Sequence, residues 1–82
     1  MNEDLKDTID GMLSSDYKER FKAEYSQLVI RYNKLREFVA KYEAKVLSFE
    51  PSTPLDIYKL QLQSMDTYMY ILEVRAKIEN IM

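Results

Sequence analysis

From Pro54 to Met82 the apolar residues fall into two stripes at helical spacing. One runs Leu55, Tyr58, Leu62, Met65, Met69, Leu72, Ala76; the other runs Ile57, Leu60, Tyr68, Ile71, Val74, Ile78, Ile81. At about 100° per residue the two point roughly 150° apart. One neighbouring helix of the same chain can cover the first stripe. The second then requires another copy, another protein or a ligand. Before it, Phe21, Tyr25, Leu28, Tyr32, Leu35, Val39, Tyr42 and Val46 alternate four and three apart, a heptad seam. No proline or glycine interrupts that seam. The spacing predicts a long helix over residues 16–46, with Asp16 as N-cap and Glu19 as its capping-box partner.

The segment 47–53 is punctuation. Pro51 biases Glu50 away from helix, Thr53 reads as an N-cap, and Pro54 takes the favoured first helical position. A second long helix is expected over 54–80. Two heptad helices joined by so short a loop should fold back antiparallel. Leu5, Ile9, Met12 and Leu13 mark a short helix within residues 1–14, capped by Asn2, with Glu3 and Asp4 suiting its positive end and Gly11 weakening its last turn. The expectation is one all-α domain over 1–82: an antiparallel helical hairpin with a short N-terminal helix, assembled as a homo-oligomeric bundle. Ile57, Leu60, Ile71, Val74 and Ile78 are its expected assembly face. A chain of 82 residues has a thin core, and self-association is a common remedy.

Composition narrows the chemistry. Cysteine and histidine are both absent, which removes thiolate and imidazole metal ligands, thiol catalysis and the commonest general base. One glycine leaves no phosphate-cradling loop. No catalytic group, metal site or cofactor is expected. The net charge of −2 argues against simple electrostatic binding to nucleic acid. Residues 17–47 carry eight bases and four acids, but Glu19, Glu24, Glu37 and Glu43 interrupt any basic stripe. The acidic N-terminus has no apolar run, and no stretch approaches the ~20 apolar residues that span a bilayer.

Two features could recognise a ligand. Gln61, Tyr68 and Arg75 are spaced by seven and form a polar line inside an apolar arc, with Ser64 and Glu79 beside it. Arg31 falls beside the first seam, near Phe38 and Tyr42. A polar line there either fixes oligomer register, for example through Arg75, Glu79 and a tyrosine hydroxyl, or lines a pocket for a small anionic ligand. The seven tyrosines either fill a thin core or stack on a purine ring, with cations on phosphate. The candidate ligand-binding residues are Arg31, Tyr32, Gln61, Tyr68 and Arg75.

The run Tyr17-Lys-Glu-Arg-Phe-Lys-Ala-Glu-Tyr25 with Leu28, Arg31, Lys34-Leu35 and Phe38 resembles the first half of small phage and prophage proteins related to a crAss-like phage protein. Pro51-Ser-Thr-Pro54 and the series from Leu60-Gln61-Leu62 to Ile78-Glu79 resemble the second half. The resemblance covers about residues 17–80 and implies a phage or prophage origin and action in the bacterial cytoplasm. The architecture is also similar to the helical-hairpin anti-CBASS sponge proteins of phages. That likeness implies an oligomer that sequesters a small nucleotide immune signal, a cyclic oligonucleotide or ADP-ribose-type molecule. The competing expectation is an adaptor that binds a host or phage protein through its second helix, with no small-molecule ligand.

Overall fold

The structure, a computed structural model, describes residues 4–81. These residues form helices and connecting turns, and no strand occurs among them. A 3-10 turn, Leu5–Thr8, runs straight into the short helix α1, Ile9–Met12; two long helices follow, α2 at Tyr17–Glu43 and α3 at Leu55–Ile78.

Local chemistry explains each boundary. The first turn opens on Asp4, whose side chain forms a capping box with Asp7, a local closure that both residue types favour. The expected cap at Asn2 and the favourable charge at Glu3 lie outside the described residues. Asp16 caps α2 by accepting from the Lys18 N–H at 3.0 Å, while no reciprocal bond from Glu19 is present among the described residues. Helix α2 stops at Glu43, three residues before Val46. Lys45 adopts a left-handed conformation with φ 60°, and the Val46 N–H turns back to the Lys41 carbonyl at 3.1 Å. Val46 is thereby turned out of the seam and is 66% exposed. Helix α3 starts one residue later than expected, on an extended Pro54, and Thr53 makes no side-chain cap. It ends with the same reverse turn: Asn80 has φ 57° and the Ile81 N–H reaches the Ala76 carbonyl. That turn carries Ile81 off the outer stripe and buries it in the core.

The partners of α2 fall in number along α3 as residues rise along α2. Tyr17 meets Glu79, Tyr25 meets Glu73, Phe38 packs on Tyr58, and Glu43 pairs with Lys59. The two helices therefore lie side by side and run in opposite directions. Phe21 and Leu28 of α2 close with Leu72 and Ala76 of α3 and with Ile81 into the core, flanked by Tyr25, Met65 and Met69. At the loop end Phe38, Tyr42, Phe49 and Tyr58 form an aromatic cluster.

The N-terminal segment packs on α2 alone. It uses small residues rather than the expected apolar stripe. Ile9, Met12 and Leu13 are exposed, Leu13 at 79%. Contact instead runs through Thr8, 2% exposed, which accepts a hydrogen bond from the Gln27 side-chain amide at 2.9 Å and donates to the Leu5 carbonyl. It also runs through Gly11, where an added Cβ would lie 2.8 Å from the Ala23 Cβ. Gly11 is thus the close-approach point of the two helices. Ala23 and Ile30 are buried on the side of α2 turned about 200° from Phe21 and Leu28, a second apolar face of this helix.

Candidate functional site

One edge of the α2–α3 pair carries four of the five candidate residues. On α2 the positions are Tyr17, Glu24 and Arg31; on α3 they are Arg75, Tyr68 and Gln61. Both lines advance by seven residues, so each stays on one side of its helix over two turns per step. The first rung is built from contacts. The Arg75 Nη2 donates to the Tyr17 hydroxyl at 2.8 Å, its Nε donates to Glu79 Oε2 at 3.2 Å, and the Tyr17 hydroxyl donates to Glu79 Oε1 at 2.8 Å. The guanidinium carbon also sits 5.1 Å from the centroid of the Phe21 ring, within cation–π range. The network of Arg75, Glu79 and a tyrosine hydroxyl is therefore present, and Tyr17 supplies the hydroxyl. In the second rung the Tyr68 hydroxyl donates to Glu24 Oε2. The same register sets Arg31 and Gln61 level on the third rung, where both are exposed.

Tyr32 stands apart from this line. It lies one heptad after Tyr25, whose hydroxyl donates to Glu73 Oε2 at 2.7 Å on the opposite edge of the pair. Tyr32 is half-buried there. The two edges thus divide the candidates: Arg31, Gln61, Tyr68 and Arg75 on one, Tyr32 on the other. Heptad reading of α3 alone marked the polar line; it missed Tyr17, Glu24 and Glu73, the groups that answer it. The spacing of Tyr17, Glu24 and Arg31 by seven was the signal available for two of them.

These pairings set the electrostatics. The hydrogen bond to Glu79 raises the Tyr17 phenol above its ordinary value, and Glu73 and Glu24 do the same to Tyr25 and Tyr68. The donated bond from Tyr17, with Arg75 in support, holds the Glu79 carboxyl below the usual carboxylate range. Glu79 likewise strengthens the hold of Arg75 on its proton. Arg75 is 44% exposed and commits two of its five N–H donors to these bonds. The other three can serve a phosphate or carboxylate from outside. Open grooves of about 380 Å³ beside Asp66, Tyr70 and Glu73 and about 440 Å³ beside Tyr42, Lys45 and Phe49 include none of the five candidates.

The expected assembly face is open along its length. Ile57, Leu60, Ile71, Val74 and Ile78 are 49%, 59%, 49%, 37% and 75% exposed. This face adjoins the edge that bears Gln61, Tyr68 and Arg75. No helix among the described residues is long and apolar enough to cross a membrane.

The described residues are all helix and turn, with a small core, an exposed apolar face and an arginine held at a tyrosine–glutamate edge. The family model Sequestin matches residues 15–78, most of the chain and both long helices. The chain belongs to the Sequestin family. No significant match is found among the curated proteins or the solved structures.

Proposed function

We propose that this chain is a non-enzymatic sponge: an antiparallel helical hairpin that assembles as a homo-oligomer and sequesters a small nucleotide immune signal. The family name denotes sequestration and gives the reading its direction. The observation that carries it to particular residues is the Arg75 rung. An exposed guanidinium is held in place by Tyr17, Glu79 and the Phe21 ring, with three donors to spare. Preorganisation of this kind lowers the ordering cost of gripping a phosphate. Tyr68 supplies a ring face seven residues away, and Arg31 and Gln61 extend the polar line. The ligand class is a cyclic oligonucleotide or ADP-ribose-type molecule, bound without a cofactor, in a phage or prophage protein acting in the bacterial cytoplasm.

The test is direct. Native mass spectrometry of purified protein should show a bound species of small-molecule mass released on heating. A panel of cyclic oligonucleotides and ADP-ribose derivatives should contain one that raises the melting temperature, as any ligand selective for the folded state must. Arg75→Ala should abolish that rise while the protein remains helical. Silence of the whole panel together with absence of a bound species would sink the reading.

The exposed Ile57–Ile78 face favours a second reading, an adaptor that docks one host or phage protein through α3. A defined complex lost in Ile71→Glu, from protein that carries no small molecule, would establish it.

A further inference from the structure

Lys34, Phe38 and Lys41 fall four and three apart, so they share one face of α2. Past the end of that helix the reverse turn at Lys45 brings the chain back beside this face, tied by the Val46 N–H on the Lys41 carbonyl at 3.1 Å. Phe49 is thereby stacked on Phe38, with ring centroids 6.2 Å apart and planes 25° from parallel. Tyr42 and Tyr58 brace Phe38 edge-on in turn. Phe49 nonetheless stays 59% exposed, so its ring fills no core. Beside it lies an open groove of about 410 Å³ whose walls include Lys34, Glu37, Phe38, Lys41, Leu47 and Phe49.

We propose that this groove is a second ligand site, one for a mononucleotide: the base stacks on the open face of Phe49 and the phosphate sits between Lys34 and Lys41. Every base offers a flat π-face to an aromatic side chain, and lysines meet a phosphate as point charges on flexible stems. The groove volume lies at the small end of the about 300–1,000 Å³ typical of ligand sites, which suits one nucleotide better than a cyclic oligonucleotide.

Charge selects this groove over its neighbour. Phe49 also walls the groove beside Tyr42, where Lys45 and Glu50 offset one another. Here two lysines stand against Glu37 alone. The Glu37–Lys41 pair, at 3.6 Å between side chains 73% and 55% exposed, is weak enough for a phosphate to displace. Lys34 makes no ion pair among the described residues. The site goes beyond the sequestration reading and does not rest on it. Phe38 lies seven residues past Arg31, so the groove is one heptad step further from the Arg75 rung, at the loop end of the hairpin.

AMP is the probe, titrated into the full chain and followed by backbone amide shifts. The shifts should centre on residues 34–49. Adenosine, which lacks the phosphate, and ribose 5-phosphate, which lacks the base, should each bind at least several-fold more weakly. Phe49→Leu keeps the apolar cover of Phe38 and loses the flat ring. It should weaken AMP binding about tenfold, the loss of one stacked base, while Phe49→Tyr retains it. Lys34→Gln should weaken AMP and leave adenosine unchanged. No shift at all, shifts confined to residues 61–79, ribose 5-phosphate as tight as AMP, or Phe49→Leu binding like the unaltered chain would each overturn the site. The two readings fail separately. A silent nucleotide panel with AMP seated at Phe49 removes the sequestration reading and keeps this site; a panel ligand with AMP shifts confined to residues 61–79 does the reverse.

Discussion

Gly11 shows how one residue fixes the N-terminal segment against α2. A methyl group added there would meet the Ala23 Cβ at 2.8 Å, and an alanine Cβ on a long helix cannot swing aside. Alanine is the better helix former by about 1 kcal/mol, so propensity alone predicts that Gly11→Ala stabilises the chain. The close approach predicts the opposite. Gly11→Ala should lower the melting temperature and raise hydrogen exchange across residues 5–12, with α3 unaffected; Gly11→Ala paired with Ala23→Gly should recover part of the loss. In the core, Leu72 is fully buried between Phe21, Leu28 and Ala76. Leu72→Ala should cost about 2–5 kcal/mol of folding free energy in denaturant titration, the range for a leucine cavity that collapses only in part. Leu72 belongs to the inward stripe that heptad spacing identifies. Gly11 was not legible as a contact, because glycine near a helix end reads only as a weakened last turn and the neighbour alone reveals the close approach.

At the level of elements, periodicity located both long helices, and it failed where a short-range turn overrode it. Val46 and Ile81 continue their stripes in phase, yet one is exposed and the other buried. Each follows a residue in the left-handed region, Lys45 and Asn80, and the reversal of the chain there discards the helical phase. Asparagine is a recognised occupant of that position and lysine is not, so the end of α2 carried no sequence mark. The conformation costs a residue with a Cβ about 1 kcal/mol. Lys45→Gly should therefore stabilise the protein by up to about 1 kcal/mol, read as a higher denaturant midpoint at unchanged slope. The N-terminal stripe misled for a different reason. Ile9, Met12 and Leu13 are correctly spaced for a helix, but the face that docks is the one small enough to approach α2 closely, marked by Thr8 and Gly11. The candidate line Gln61, Tyr68 and Arg75 was legible on α3 because spacing by seven survives without a partner. Its answering groups on α2 depend on which helix lies alongside and in what register, which periodicity within one helix does not encode.

Across the whole molecule, tyrosine–carboxylate bonds tie the two long helices along both edges: Tyr17 to Glu79 and Tyr68 to Glu24 on one, Tyr25 to Glu73 on the other. In each the phenol is the donor, so the folded state favours the protonated tyrosine, and all three titrate above their ordinary value. A group whose proton is held more tightly when folded contributes stability in full below its unfolded value and loses it as pH rises through the folded one. The unfolded value is about 10, so the contribution is intact at neutral pH and is lost only on the alkaline side. Deprotonation then removes a donor and sets a phenolate against a carboxylate at three places. Glu79 works in the opposite range. Its carboxyl is held low by Tyr17 and Arg75, so its contribution is present above its unfolded value and fades as pH falls through the folded one. The melting temperature should accordingly be flat through neutral pH, drop on the acid side below about pH 4, and drop again above about pH 10. Replacing Tyr17, Tyr25 and Tyr68 together by phenylalanine should lower the neutral-pH plateau modestly, because these bonds are partly solvated, and should flatten the alkaline limb. An alkaline limb of unchanged steepness in the triple variant would show that the interhelical tyrosines do not govern it.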